Sequence, residues 1–190
     1  MPHCWRHFLE YSKTRHTRAV EYRKDDVPIG KQEREHMEIR QIFENKKQYM
    51  DLLFLADEQE DMINRYLDKG EMFVLFDPEP VGECVVCDLG DGVFEIKNIA
   101  TSPEVHGKGY GRVLIEFLAE HYRGRCRQLF AGTGDSPLTL PFYKKCGFRE
   151  HHRLKNFYTD NYDHPIIEAA VQLVDMVYLC REFPDAAPQE

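Results

Sequence analysis

Glycines alternate with charged or aromatic residues in the stretch His106–Arg112, which reads His-Gly-Lys-Gly-Tyr-Gly-Arg. A phosphate group needs several backbone N–H groups that converge on it, and glycine lets the backbone close on such an anion without side chains in the way. An extended apolar run ends at 99–101, before this stretch, and a helical pattern follows at 113–121. A strand, a glycine-rich turn and a helix N-terminus together predict an anion-binding loop, to which Lys108 and Arg112 add positive charge.

Spacing excludes two other kinds of glycine-rich phosphate loop. A P-loop requires GxxxxGK[ST], and the chain contains no such string. A dinucleotide fingerprint, GxGxxG, that began at Gly107 or Gly109 would need a third glycine where the chain has Arg112 or Leu114. Because a glycine triplet is weak evidence on its own, a flexible turn without a ligand stays the alternative at this point.

Cys84-Val-Val-Cys87 has the CxxC spacing of many metal sites. It lies in an apolar, strand-like run, and residues i and i+3 of a strand point to opposite faces. Two thiols on opposite faces cannot chelate one metal, so we interpret them as small strand residues and predict no metal site. In the absence of a secretory signal, we expect the six cysteines to be reduced.

The hydrophobic pattern predicts an α/β (α+β) fold, in which a mixed sheet carries helices on its faces. Strands are predicted at 38–43, 71–76, 81–88, 93–101, 127–131, 148–154 and 176–181, and helices at 46–56, 57–70, 113–121 and 139–147. The last helix must begin near Thr139 or be kinked, because Pro141 fits a helix only near its first turn. The aromatic and acidic segment 155–175 is predicted to be irregular.

Composition separates the chain into three parts and limits its partners. Residues 1–36 lack a steady apolar period, so we predict a disordered extension or a natural start at Met37, followed by one domain at 37–183 and a frayed tail at 184–190. The net charge of −8 argues against nucleic acid or an anionic membrane as the main partner. No apolar run is long enough to span a membrane, and the N-terminus lacks a signal-peptide core. We therefore predict a cytoplasmic protein; its oligomeric state is open, a homodimer included.

Two stretches match the recurring motifs of one enzyme family. Ile96–Arg112 contains the pattern (Gln/Arg)-x-x-Gly-x-(Gly/Ala) at His106, Gly109 and Gly111, with histidine in the first position. Pro141–Phe148 ends in the pattern (Phe/Leu)-Tyr-x-x-x-Gly-Phe. These stretches resemble motif A and motif B of the GNAT superfamily of N-acetyltransferases.

The resemblance extends over 37–183, and 132–136 and 162–165 are most similar to an uncharacterised bacterial subgroup. It implies a mixed, mostly antiparallel sheet of about seven strands flanked by about four helices. It also implies acetyl-CoA as co-substrate, with the end of the fourth strand along the pantetheine arm and the amides of 107–112 around the pyrophosphate. The implied cofactor-binding residues are Ile99, Ala100, Thr101, His106, Gly107, Lys108, Gly109, Tyr110, Gly111 and Arg112.

The same resemblance assigns two catalytic roles. Tyr143 matches the family tyrosine near the thioester sulfur, and a tyrosine hydroxyl can protonate a leaving thiolate. The attacking amine must be neutral, so a base has to remove a proton, and Glu95 lies on the strand where the family often places one. His164 and Glu168 are further candidates for the acceptor wall, while the acidic run 57–61 is interpreted as a solvated helix start.

The sequence thus predicts an N-acetyltransferase that moves an acetyl group from acetyl-CoA to an amine of a small molecule or peptide by direct attack. An acyl-CoA-binding sensor or interaction module is the alternative, since it would keep the loop without needing a base. A domain that binds another nucleotide is a third interpretation. No motif identifies the acceptor.

Overall fold

Seven strands form one sheet in a computed structural model that describes residues 37–183. They are β1 Glu38–Ile42, β2 Glu71–Phe76, β3 Pro80–Gly90, β4 Val93–Thr101, β5 Gln128–Gly134, β6 Arg149–Leu154 and β9 Met176–Glu182. Their order is β1-β2-β3-β4-β5-β9-β6, and only β4 and β5 run parallel among these described strands. The predicted mixed, mostly antiparallel sheet is confirmed, whereas the predictions for 1–36 and 184–190 lie outside the described residues.

Five α-helices occur in the described part of the chain. They are α1 Met50–Leu53, α2 Glu60–Asn64, α3 Tyr110–His121, α4 Thr139–Lys145 and α5 Phe157–Asn161. Helix α4 begins at Thr139, so Pro141 lies in its first turn, where a missing N–H breaks no intrahelical hydrogen bond. None of the described helices combines the length and apolar character needed to cross a membrane.

The first two helices are much shorter than predicted. Lys46–Tyr49 forms a 3-10 turn before α1, and α2 begins only at Glu60, so Asp57 does not start a helix. The predicted stop at Gly70 has another cause, since a Cβ there would lie 2.5 Å from Val85 Cγ1 on β3. This glycine permits a close approach between distant parts of the chain, a requirement that a local pattern does not carry.

The segment 155–175, predicted to be irregular, holds α5 and a small hairpin. The hairpin pairs β7 (Ile167–Glu168) with β8 (Val171–Gln172) and is separate from the main sheet. Positive φ angles at Ala169 (51°) and Ala170 (61°) form its turn. These short elements place side chains from late in the chain opposite the end of β4.

The main sheet separates two apolar clusters. Helices α3 and α4 pack on one face, and α1 and α2 pack on the other. Cys84 belongs to the first cluster and Cys87 to the second, so the two thiols lie on opposite faces of β3, as predicted. The five cysteines in the described residues are free and buried, and no group of three or more potential metal ligands occurs between residues 37 and 183.

Glu83 is a fully buried carboxyl group on β3. Neither of its oxygens has a hydrogen-bond partner among the described residues. Burial raises the pKa of Glu83 well above the usual 4.5, so the folded protein keeps a proton that the unfolded chain releases. The folded state is therefore most favoured below the unfolded pKa and loses stability as the pH rises toward the folded pKa.

Replacing this carboxyl group is expected to remove that pH dependence. The variant Glu83→Gln stays neutral, so its melting temperature should exceed that of the wild type by about 3 °C or more at about pH 8. The difference should shrink toward zero as the pH falls through the unfolded value of 4.5, because the unfolded chain then binds the proton as well. Thermal melts across this range check the prediction, and a pH-independent difference would contradict it.

Candidate active site

Strands β4 and β5 pair only along their first halves. The parallel register joins Val93–Ile96 to Gln128–Ala131. A register shift between Val85 and Val86 of β3 makes the next residue of β4, Lys97, a β-bulge. Beyond it, β4 stays with β3 and β5 stays with β9, so the two strands part and leave a gap between them. The end of β4 therefore presents an unshared backbone edge to this gap.

The glycine loop leads from β4 through the 3-10 turn Pro103–Val105 into α3. Gly107 and Gly109 have φ angles of 75° and 92°, in the left-handed region that favours glycine. Val113 N–H donates to the Gly109 carbonyl at 3.1 Å, so the N–H groups of 110–112 have no acceptor within the helix. These groups and the positive end of the helix dipole form a site suited to an anion.

The side chains of this loop have different tasks. His106 is exposed, and its Nε2 lies 2.9 Å from the Thr101 carbonyl, to which it donates, so the ring ties the loop to the end of β4. Tyr110 is buried, and its hydroxyl donates to Asp77 in the β2–β3 turn. Tyr110 can therefore contribute only its backbone amide to the anion site, whereas the two basic side chains of the loop are exposed.

Helix α4 carries the predicted catalytic tyrosine and packs against the start of α3. A Cβ on Gly111 would lie 3.2 Å from the Phe142 ring, so this third loop glycine serves helix packing. The neighbouring Tyr143 is buried between Phe142 and Phe148, with ring centroids 5.2 and 5.4 Å away. Burial raises the pKa of Tyr143 above its ordinary value, which keeps its hydroxyl protonated and able to donate.

A cavity of about 350 Å³ lies where β4 and β5 part. Its walls come from the α1–α2 loop, both strands, α4, α5 and the β7–β8 hairpin. The lining residues include Asp57, Glu58, Ile96, Lys97, Asn98, Ile99, Thr133, Thr139, Tyr143, Tyr158, Tyr162 and Glu168. Tyr143 and the end of β4 thus meet at one concave site, the arrangement expected of a small-molecule pocket.

Glu95, the predicted base, lies beside this cavity and is not among the described residues that line it. Its side chain is almost fully buried and accepts hydrogen bonds from Lys97 Nζ at 2.8 Å and Tyr178 Oη at 2.9 Å. Lys97 does line the cavity. Two hydrogen bonds therefore fix Glu95 just behind the residues that form the cavity wall.

Asp57 was missed by sequence reasoning, and the interpretation of 57–61 as a solvated helix start is wrong for it. The half-buried Asp57 lines the cavity, and its Oδ1 accepts from Tyr162 Oη at 3.2 Å and from the Gln59 amide at 3.3 Å. Tyr66 Oη donates to Oδ2 at 3.4 Å. Burial raises the pKa of Asp57, although these donors oppose the shift. No local signal marks this residue, because its partners come from other segments.

The two further candidates for the acceptor wall occupy different positions. His164 is exposed and lies 2.6 Å from Asp163 and 3.4 Å from Glu58, and hydrogen bonds to these two carboxylates raise the pKa of His164. Glu168 lines the cavity and accepts from Thr139 Oγ1 at 3.5 Å. The structure therefore brings Glu168, and not the imidazole of His164, to the cavity wall.

Comparison with known proteins decides the family. The family described as "Acetyltransferase (GNAT) domain" matches residues 68–150. The uncharacterised N-acetyltransferase YvbK of Bacillus subtilis is 32% identical over 139 residues, which cover 72% of this chain and 90% of that protein. The chain belongs to the GNAT family of acetyltransferases. It is accordingly an acetyl-CoA-dependent acyltransferase.

Two solved acetyltransferase structures share this fold and contain acetyl-CoA or CoA. A GNAT family acetyltransferase from Elizabethkingia anophelis with acetyl-CoA bound has a TM-score of 0.74 and 32% identity, covering 78% of this chain and 99% of that chain. A Bacillus subtilis acetyltransferase in complex with CoA has a TM-score of 0.71 and 31% identity, covering 77% and 99%. The unpaired amides at the start of α3 and the unshared edge of β4 suit a pyrophosphate and a pantetheine arm, so acetyl-CoA fits this GNAT chain.

Proposed function

We propose that this GNAT acetyltransferase acetylates an amine, of a small molecule or a peptide, by direct attack on acetyl-CoA. The observation that carries the proposal is the single cavity that joins the edge of β4 to Tyr143. Acetyl-CoA bound along the edge of β4 would place its thioester beside Tyr143. An amine in the cavity would meet the thioester there. Holding both substrates in contact converts a bimolecular reaction into an effectively unimolecular one, which lowers its entropic barrier.

The donor site consists mainly of backbone groups. The amides of 107–112 hold the pyrophosphate, apart from that of Lys108, which already donates to the Val105 carbonyl at 3.2 Å. The side chains of Lys108 and Arg112 add charge, and the backbone of Ile99, Ala100 and Thr101 binds the pantetheine arm. His106 acts indirectly, because its ring holds the loop to Thr101. The support for this proposal is the set of amides that lack an intrahelical acceptor.

The reaction forms one bond and breaks one bond. Acetyl-CoA supplies the acetyl group as a thioester; the amine nitrogen bonds to the carbonyl carbon as the carbon–sulfur bond breaks. Tyr143 Oη gives its proton to the departing sulfur, and Glu95 receives the proton of the amine through one water, since its carboxylate lies behind the wall. Lys97 and Tyr178 fix the position of that carboxylate.

The five described cysteines, free and buried, are consistent with a reducing compartment. We therefore place the reaction in the cytoplasm, and no nucleic-acid or membrane partner enters the proposal.

Thiol release in the presence of acetyl-CoA and a panel of amines tests this proposal. We expect release that depends on one class of amine and that falls about a hundredfold in Glu95→Gln while CoA binding is retained. CoA binding without turnover on any amine would instead favour the sensor.

A further inference from the structure

The cavity has one carboxylate beside Tyr143. Glu168 accepts a hydrogen bond from Thr139, which lies four residues before Tyr143 on α4 and so shares its helix face. Burial is the main cause of the raised pKa of Tyr143. The charge of Glu168 is among the smaller causes that add to it. Glu168 therefore marks the end of the cavity where the thioester would react.

A second carboxylate, Asp57, lies elsewhere on the wall. Burial is the main cause of the raised pKa of Tyr158 and Tyr162, and the charge of Asp57 adds to it for both residues. The same charge is not among the principal causes for Tyr143. Tyr158 stacks on Tyr162, with ring centroids 5.6 Å apart, and Tyr162 donates to Asp57, so both rings line the cavity wall next to Asp57.

An unpartnered acceptor atom accompanies Asp57. Asn98 is 3% exposed and lines the cavity, and its Nδ2 donates to the Leu53 carbonyl at 3.0 Å and to Tyr66 Oη at 2.8 Å. Its Oδ1 has no hydrogen-bond partner among the described residues. Tyr66 in turn donates to Asp57, so one network fixes both groups. A buried oxygen without a donor is costly, and an N–H of a ligand would satisfy it.

The charge of the wall favours a cation. Lys97 is the one basic residue among the described lining residues, and its ammonium group pairs with Glu95 at 2.8 Å. The positive charge of the exposed Arg65 lowers the pKa of Asp57, but this effect is smaller than that of burial, which raises it. No ion pair joins Arg65 to Asp57 within the described residues. The half-buried carboxylate of Asp57 therefore lacks a full countercharge, which an ammonium group would provide.

We propose that the acceptor is a dication of the diamine or polyamine type, whose one amine reacts at the Tyr143 end while a second ammonium group binds to Asp57 and Asn98 Oδ1. The aliphatic chain between the two nitrogens lies against Tyr158 and Tyr162, whose rings also attract a cation. This inference rests on the proposed N-acetyltransferase activity and adds its substrate class.

Paired substrates test the inference. Straight-chain alkane diamines are compared with alkylamines of equal carbon number, with kcat/KM for thiol release from acetyl-CoA as the readout. The wild type should prefer the diamine of the best length by about tenfold, the worth of one partly buried charge-assisted contact. Asp57→Asn keeps the shape and an oxygen for Tyr162, and the ratio of diamine to monoamine should fall toward one, mainly through KM.

Asp61→Asn is the matched control, because Asp61 is an exposed acid on α2 away from the cavity lining. Asp61→Asn should keep the wild-type ratio of kcat/KM for diamine to that for monoamine. Thermal melts and CoA titrations verify that both variants are folded. A wild type that uses both amines equally, or a preference that survives in Asp57→Asn, would overturn the inference while leaving the proposed function intact. CoA binding without thiol release on either amine would remove the proposed function as well.

Discussion

Tyr143→Phe is expected to lower kcat for acetyl transfer about a hundredfold, the usual contribution of one positioned proton donor. Phenylalanine keeps the ring between Phe142 and Phe148, so the loss is confined to the hydroxyl. The KM for acetyl-CoA should change less than about twofold, because the backbone cradle is untouched. Burial raises the pKa of Tyr143, so the wild-type rate should show no fall near the ordinary tyrosine value of 10.0.

Tyr49→Phe is a suitable control for this variant. Tyr49 is half-buried against Phe76, with ring centroids 6.4 Å apart, and it does not line the cavity. Removal of the Tyr49 hydroxyl in Tyr49→Phe should leave kcat unchanged, as measured by steady-state thiol release. Equal kcat values for the wild type and Tyr143→Phe would refute the assignment of Tyr143 as the acid.

Gly109→Ala is expected to raise the dissociation constant for CoA roughly tenfold, because a Cβ in left-handed backbone costs about 1–2 kcal/mol. Gly109 has a φ of 92° and immediately precedes the free amides of α3, so relaxation of the strain turns those amides away from the anion. Isothermal titration of CoA into the variant provides the measurement.

Gly90→Ala separates this effect from general strain. Gly90 has a φ of 87° in the β3–β4 hairpin, and a Cβ there would meet no atom within 4 Å. Both variants should lose a similar amount of stability, but only Gly109→Ala should bind CoA more weakly. A similar loss of CoA affinity in the two variants would show that the amides of the loop do not hold the anion.

The donor half of the site could be predicted because its residues follow one another along the chain. The strand β4 was predicted with its observed bounds, Val93–Thr101, and the loop and α3 follow directly. Turn chemistry and helix dipoles act over a few residues, so a local pattern carries them. The reason for Gly111 was nevertheless missed, since its close neighbour, the Phe142 ring, belongs to another helix.

The acceptor half could not be predicted, because its contacts join distant segments. Tyr162 reaches Asp57 across 105 residues, and Asn98 reaches the Leu53 carbonyl across 45. Nothing in the run 57–61 distinguishes the half-buried Asp57 from its exposed neighbour Glu58. The helix pattern also failed here, since α1 ends at Leu53 and α2 begins only at Glu60.

Acetyl-CoA with an isotopically labelled acetyl group tests the central claim most directly. The protein is incubated with the labelled donor and the preferred amine, and the labelled amide and the free thiol are quantified together by mass spectrometry. Acetyl transfer to the amine requires equal amounts of both products, with no label left on the protein. Bound CoA without labelled amide, or thiol release by hydrolysis alone, would contradict the account.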